Sequence, residues 1–181
     1  MGRLSCAAPM IVPLLLASLI AASGHARAPA NPIRAENAKP GTAGWLAPAA
    51  SGRAIEAYGS EVSVLPGQAM HFHVSTAPAA RYRVVVYRLG WYGGAGARRI
   101  ACLPGCTADE AGAARPPPAP DSRTGRVEAG WPVTDQLTVP KAATTGYYVA
   151  EFVLTSGSQA GRAALTYVIV RDPPARRIAS C

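Results

Sequence analysis

From Ala54 onward the chain is written in short runs of valine, isoleucine, tyrosine and phenylalanine, each closed by glycine, proline, serine or aspartate. No stretch keeps a helical period for three turns, so the apolar side chains can be buried only by pairing strands. The runs predict strands at Ile55–Tyr58, Glu61–Leu65, Ala69–Ser75, Arg81–Leu89, Arg98–Leu103, Gln136–Val139, Tyr147–Thr155 and Ala163–Arg171. Seven or eight strands in roughly 120 residues fit one core between two sheets. The expected fold is therefore all-β, an immunoglobulin-like two-sheet antiparallel sandwich over residues 54–172.

Alternation assigns the inner faces. Met70, Phe72 and Val74 share one side of their strand, and Tyr148, Ala150, Phe152 and Leu154 share one side of theirs, opposite Glu151. Leu165, Tyr167 and Ile169 are assigned inward on the last strand by the same pattern. Thr145-Gly146-Tyr147-Tyr148 resembles a tyrosine corner, in which a phenol at the start of a strand bonds back to the loop before it.

The first 28 residues read as a secretory signal peptide: Arg3 precedes the apolar run Met10–Ala22, and small residues follow. That run is shorter than the roughly 20 residues a membrane span needs. The chain is accordingly expected to be exported, periplasmic or extracellular, and not to engage a membrane after cleavage. Residues 29–53, rich in Ala, Pro, Gly and Asn, form an extended lead-in that Trp45 and Leu46 could dock. Residues 107–126 contain Arg115-Pro116-Pro117-Pro118-Ala119-Pro120 and read as a long proline-rich loop, and residues 173–181 as a truncated tail.

Cleavage after Ala28 removes Arg3 and Arg27 from the 18 basic residues, leaving 16 against 10 acidic. The arginines are scattered rather than striped, which excludes a phosphate-tracking surface, so no nucleic-acid partner is expected. Of the four cysteines, Cys6 leaves with the leader. Cys102 and Cys106 flank Leu103-Pro104-Gly105, a turn sequence that can bring them into a disulfide in an oxidising compartment. Cys181 is the odd thiol.

His71-Phe72-His73 places two imidazoles on one face of a strand. Two ligands are too few for a metal, and a third would have to come from Glu61, Glu151, Cys102 or Cys106. The pair reads instead as a solvent-facing face opposite Met70, Phe72 and Val74, and no metal is expected. No Gly-x-Ser-x-Gly elbow is present, and Asp109-Glu110 lies in the proline-rich region, where catalytic carboxylates lack the burial that tunes them. No catalytic residue is assigned.

The most specific run is Arg88-Leu89-Gly90-Trp91-Tyr92-Gly93-Gly94, which follows Tyr82-Arg83-Val84-Val85-Val86-Tyr87. With Ile55-Glu56-Ala57-Tyr58, Ser63-Val64-Leu65-Pro66-Gly67-Gln68, Phe72-His73-Val74-Ser75-Thr76, Thr124-Gly125, Trp131-Pro132-Val133 and Gly146-Tyr147-Tyr148, all in order, it resembles the amino-terminal β-sandwich region of the N,N-dimethylformamidase large (beta) subunit-like family.

The family resembled is an amide (formamide) hydrolase. The resemblance implies that its hydrolytic site, a mononuclear iron held by tyrosines and a glutamate, lies in a later domain, so no catalytic residue carries over to any position here. The chain is expected to be a truncated, non-catalytic accessory domain of such an exported protein, without a cofactor and not an enzyme on its own. The alternative is a stand-alone exported protein- or carbohydrate-binding module. Trp91, Tyr92 and Trp131 are the candidate binding or interdomain surface, and a missing or separate catalytic domain is the candidate partner.

Overall fold

A computed structural model describes residues 31–172. The segment expected to be a signal peptide and the tail from Pro173 lie outside the described residues. The elements are α1 (Pro32–Asn37), β1 (Glu56–Gly59), β2 (Ser63–Val64), β3 (Ala69–Ser75), β4 (Arg81–Leu89), a 3-10 turn (Tyr92–Gly94), β5 (Ala97–Leu103), β6 (Glu110–Ala111), β7 (Asp135–Thr138), β8 (Gly146–Leu154) and β9 (Ala163–Val170). The chain forms an all-β, two-sheet sandwich. One sheet has the order β1-β3-β7; the other has the order β2-β9-β8-β4-β5, with β6 paired to β4.

The pairing is antiparallel except between β2 and β9, where Ser63 and Val64 run parallel to Ile169 and Val170. The expected antiparallel sandwich thus forms, with one short parallel pair at this edge.

The core lies between the sheets. Met70, Phe72 and Val74 of β3 meet Val84 and Val86 of β4, and Tyr148, Ala150, Phe152 and Leu154 of β8, all buried as the alternation requires. Phe72 and Phe152 meet edge to face across the layers, with ring centroids 5.5 Å apart. Tyr82 crosses the core in the same layer and donates its hydroxyl to Asp135 Oδ2 at 2.6 Å, joining β4 to β7. Burial and that carboxylate push the Tyr82 phenol well above its ordinary pKa.

Strand β9 reverses the expected facing. Val168 and Val170 point into the core, whereas Leu165 is exposed and Tyr167 is 70% exposed. Both faces of this strand carry apolar residues, so alternation alone could not choose. Its register against β8 chooses, setting Tyr167 opposite Val149 and Val168 opposite Tyr148.

The lead-in is not simply extended. Asn31 caps α1 by accepting from Ile33 N at 3.0 Å and Arg34 N at 3.2 Å, with Pro32 supplying the first helical residue. The segment that follows straps the outer face of the larger sheet. Thr42 N donates to Ala97 O, Trp45 packs on Tyr87 with centroids 5.5 Å apart, and Ala50 N donates to Ala163 O. Trp45 thus docks the lead-in as expected, while Leu46 remains exposed.

The proline-rich segment is interrupted by β6 and then runs beside β3. Arg115 N donates to Ser75 Oγ, Arg115 Nε donates to Val74 O, and Thr76 N donates to Ala113 O. The tyrosine corner forms as its sequence suggested: Tyr148 Oη donates to Thr144 O at 2.9 Å.

Candidate functional site

The loop from Arg88 to Gly94 is anchored from beneath. Arg88 ends the inward row of β4, buried, and its guanidinium donates to Thr145 O at 2.8 Å and to Tyr92 Oη at 2.8 Å. The Tyr92 hydroxyl in turn donates to Glu36 Oε1 at 3.1 Å. Glu36 also accepts from Arg98 Nε at 2.8 Å and Lys39 Nζ at 2.6 Å.

Burial alone would raise the Glu36 pKa. The hydrogen bonds from Lys39, Arg98 and Tyr92 and the Arg98 charge outweigh it and hold the carboxyl at about 2.

This network sets the backbone of the loop. Tyr92 lies at φ 44, a left-handed conformation that non-glycine residues rarely hold without support. Gly93 follows at φ 65 and meets nothing within 4 Å, so it serves the turn itself. Gly90 serves close approach instead: a Cβ there would lie 2.3 Å from Asn37 Oδ1 and 2.9 Å from the Tyr92 ring. The two residues of the aromatic pair therefore part company, with Tyr92 turning inward at 3% exposure and Trp91 projecting outward at 70%.

Trp91 lines an open cavity of about 500 Å³ with Asn31, Ile33, Arg34, Asn37 and Ala38 of the α1 region. Trp131 belongs elsewhere. Its ring is nearly buried, 5.6 Å from Tyr58, and its Nε1 donates to Pro116 O. Its cavity, shared with Tyr58 and His73, is lined by different residues from that of Trp91. The three aromatics singled out by the sequence thus occupy two places and one interior.

Cys102 and Cys106 are joined by a disulfide, with Cα atoms 5.0 Å apart, closing the turn after β5. The histidines of β3 are split. His71 Nδ1 meets Glu61 Oε1 at 2.6 Å, while His73, stacked on Tyr58 at 4.4 Å, has Nδ1 on Trp131 O at 2.7 Å and Nε2 on Ser60 Oγ at 2.7 Å. The expectation of a solvent-facing pair is corrected for His73, because Tyr58 and Trp131 cover it. Glu151, the other carboxylate considered beside them, lies on the opposite sheet.

An iron held by tyrosines and a glutamate does not fit these residues. The one hydrogen-bonded tyrosine–glutamate pair among the described residues is Tyr92–Glu36, and Arg88, Arg98 and Lys39 already supply its cations. Among the described residues no group of three or more His, Cys, Asp or Glu could hold a metal ion.

Two features lay outside what the sequence signalled. Helix α1 supplies both Glu36 and the floor beside Trp91, yet six residues are too few to show a period; only the Asn31-Pro32 start hinted at it. The second is Glu151, whose burial comes from the strap laid over it.

No curated protein and no solved structure matches the chain. The family described as N,N-dimethylformamidase beta subunit-like, C-terminal, matches residues 83–180, from inside β4 to beyond β9. Its description names the C-terminal part of the family, where the sequence resemblance had pointed to the amino-terminal part, and the stretches quoted before Arg83 fall outside the match. A match over more than half of the residues shows the relationship: the chain belongs to the N,N-dimethylformamidase beta subunit-like family.

Proposed function

We propose that the chain is a non-catalytic accessory domain of an exported N,N-dimethylformamidase beta subunit-like protein. In this reading it docks, through the surface around Trp91, on an amide hydrolase domain carried elsewhere. The observation that carries the reading is Trp91 itself: a large aromatic 70% exposed beside the exposed Ile33, on a loop whose neighbours are locked by Arg88, Tyr92 and Glu36. A rigid, amphipathic aromatic is the residue type that anchors interfaces, because little side-chain freedom is lost when it is covered.

Several acid–base groups support the same reading: Glu36, Glu61, His73 and Asp135 are each engaged by partners within the fold. A catalytic acid or base must instead reach a proton on a substrate. Purified chain incubated with N,N-dimethylformamide is expected to release no dimethylamine above the uncatalysed rate. Turnover by the chain alone that disappears on substitution of one of its own side chains would overturn the proposal.

A further inference from the structure

The strap of residues 42–50 covers a carboxylate that the fold does not neutralise. Glu151 faces outward from β8, yet is only 2% exposed because Trp45 and Ala47 lie over it. Its described hydrogen bond is a single one, from Ala47 N to Oε1 at 2.6 Å. Burial raises its pKa, opposed only by that amide, so no basic side chain among the described residues offsets the desolvation of the carboxylate. A buried carboxylate in this condition gains from any cation that reaches it.

Glu151 lines a cavity of about 240 Å³ with Trp45, Tyr87, Arg83 and Arg99, floored by Val85 and Val153. The rings of Trp45 and Tyr87 form a tilted pair, a wall suited to an apolar or cationic group. The arginines are placed differently from the acid. Arg83 is turned away, its Nε 3.7 Å from Asp109 Oδ1 and its Nη1 on Cys106 O. Arg99 is exposed at the rim, where its charge acts on Tyr87. The cavity therefore offers a buried negative group, an aromatic wall and a positive rim within one small space.

We infer that this cavity binds a small zwitterion of the free α-amino acid class. The ammonium group meets Glu151, the side chain lies against Trp45 and Tyr87, and the carboxylate meets Arg99. A simple alkylamine leaves Arg99 unmet and a simple carboxylic acid leaves Glu151 unmet, so both charges are needed. The volume, below the roughly 300 Å³ of pockets for drug-sized ligands, sets the size limit. This site is independent of the docking surface at Trp91.

The test is calorimetric titration of the purified chain with L-leucine, with isoamylamine and isovalerate as the single-charge controls. Leucine is expected to bind saturably, and each control at least tenfold more weakly. Glu151→Gln, which keeps an acceptor for Ala47 N, and Arg99→Ala, at the exposed rim, are each expected to weaken leucine binding at least tenfold. If Glu151→Gln fails to fold, Arg99→Ala decides alone. Absence of saturable leucine binding, equal binding of isoamylamine, or affinity unchanged in Arg99→Ala would each overturn the assignment.

Discussion

Arg98 of β5 donates from Nε to Oε1 of Glu36 at 2.8 Å, tying the short helix α1 to the larger sheet through a carboxylate that is 3% exposed. Glu36 is the one buried residue of the helix, so this ion pair, with Lys39 and Tyr92 around it, holds α1 beside the Trp91 loop. Removing one partner from a buried pair leaves the other charge uncompensated, which is costlier than losing the pair as a whole.

Glu36→Gln is accordingly expected to lower stability by about 2–3 kcal/mol at neutral pH, the partial exposure of Arg98 keeping the loss below that of a fully buried pair. The pH dependence has a defined sign. The Glu36 carboxyl is held at about 2, below its ordinary 4.5, so its contribution is present above about 4.5 and is lost as pH falls toward 2. Glu61 is lowered in the same direction by His71, against its burial, whereas Glu151 is raised by burial and its contribution is lost as pH rises. Urea unfolding followed from neutral pH into this acid range should show wild-type stability falling, with a shallower fall in Glu36→Gln. An equally steep fall in the variant would contradict the role given to Glu36.

The aromatic pair should respond asymmetrically. Tyr92→Phe removes the hydroxyl that links Arg88 to Glu36 and should cost about 1–3 kcal/mol, since a buried donor and acceptor are left short of a partner. Trp91→Ala, on the surface of the same loop, should stay within about 0.5 kcal/mol. Thermal unfolding of the two variants side by side measures the difference, and equal losses would show that Trp91 serves the fold.

The Cys102–Cys106 bridge closes a five-residue turn, so its entropic effect on the unfolded chain is small, roughly 2 kcal/mol. Cys102→Ala combined with Cys106→Ala should lower the unfolding free energy from urea titration by about 2 kcal/mol while leaving the β-sheet circular dichroism intact. Loss of the folded state at room temperature would mean that the turn holds more of the sheet edge than the structure suggests.

The sequence exposes the sandwich well where one face of a strand is polar or where turn residues crowd its ends. Ala69–Ser75 and Arg81–Leu89 lie where the pattern put them, and the other expected strands are displaced by no more than two residues at either end, while the short β6 has no counterpart among them. The facing of β9 was not legible, because Leu165 and Tyr167 look as core-like as Val168 and Val170 until pairing with β8 settles the register. The Arg88–Gly94 run was visible as a marker, but the opposite fates of Trp91 and Tyr92 depend on Glu36, some fifty residues earlier on a helix too short to announce itself. The burial of Glu151 was hidden for a similar reason: a residue on the outer face of a sheet reads as solvated unless the strap that covers it is known.

The docking role of Trp91 is tested most directly by the affinity of the purified chain for a separately produced catalytic domain of an N,N-dimethylformamidase beta subunit-like protein from the same source. The account predicts a saturable complex that Trp91→Ala weakens at least tenfold, about 1.4 kcal/mol or more, with the variant's folding stability unchanged. No complex at all, or one indifferent to Trp91→Ala, would contradict it.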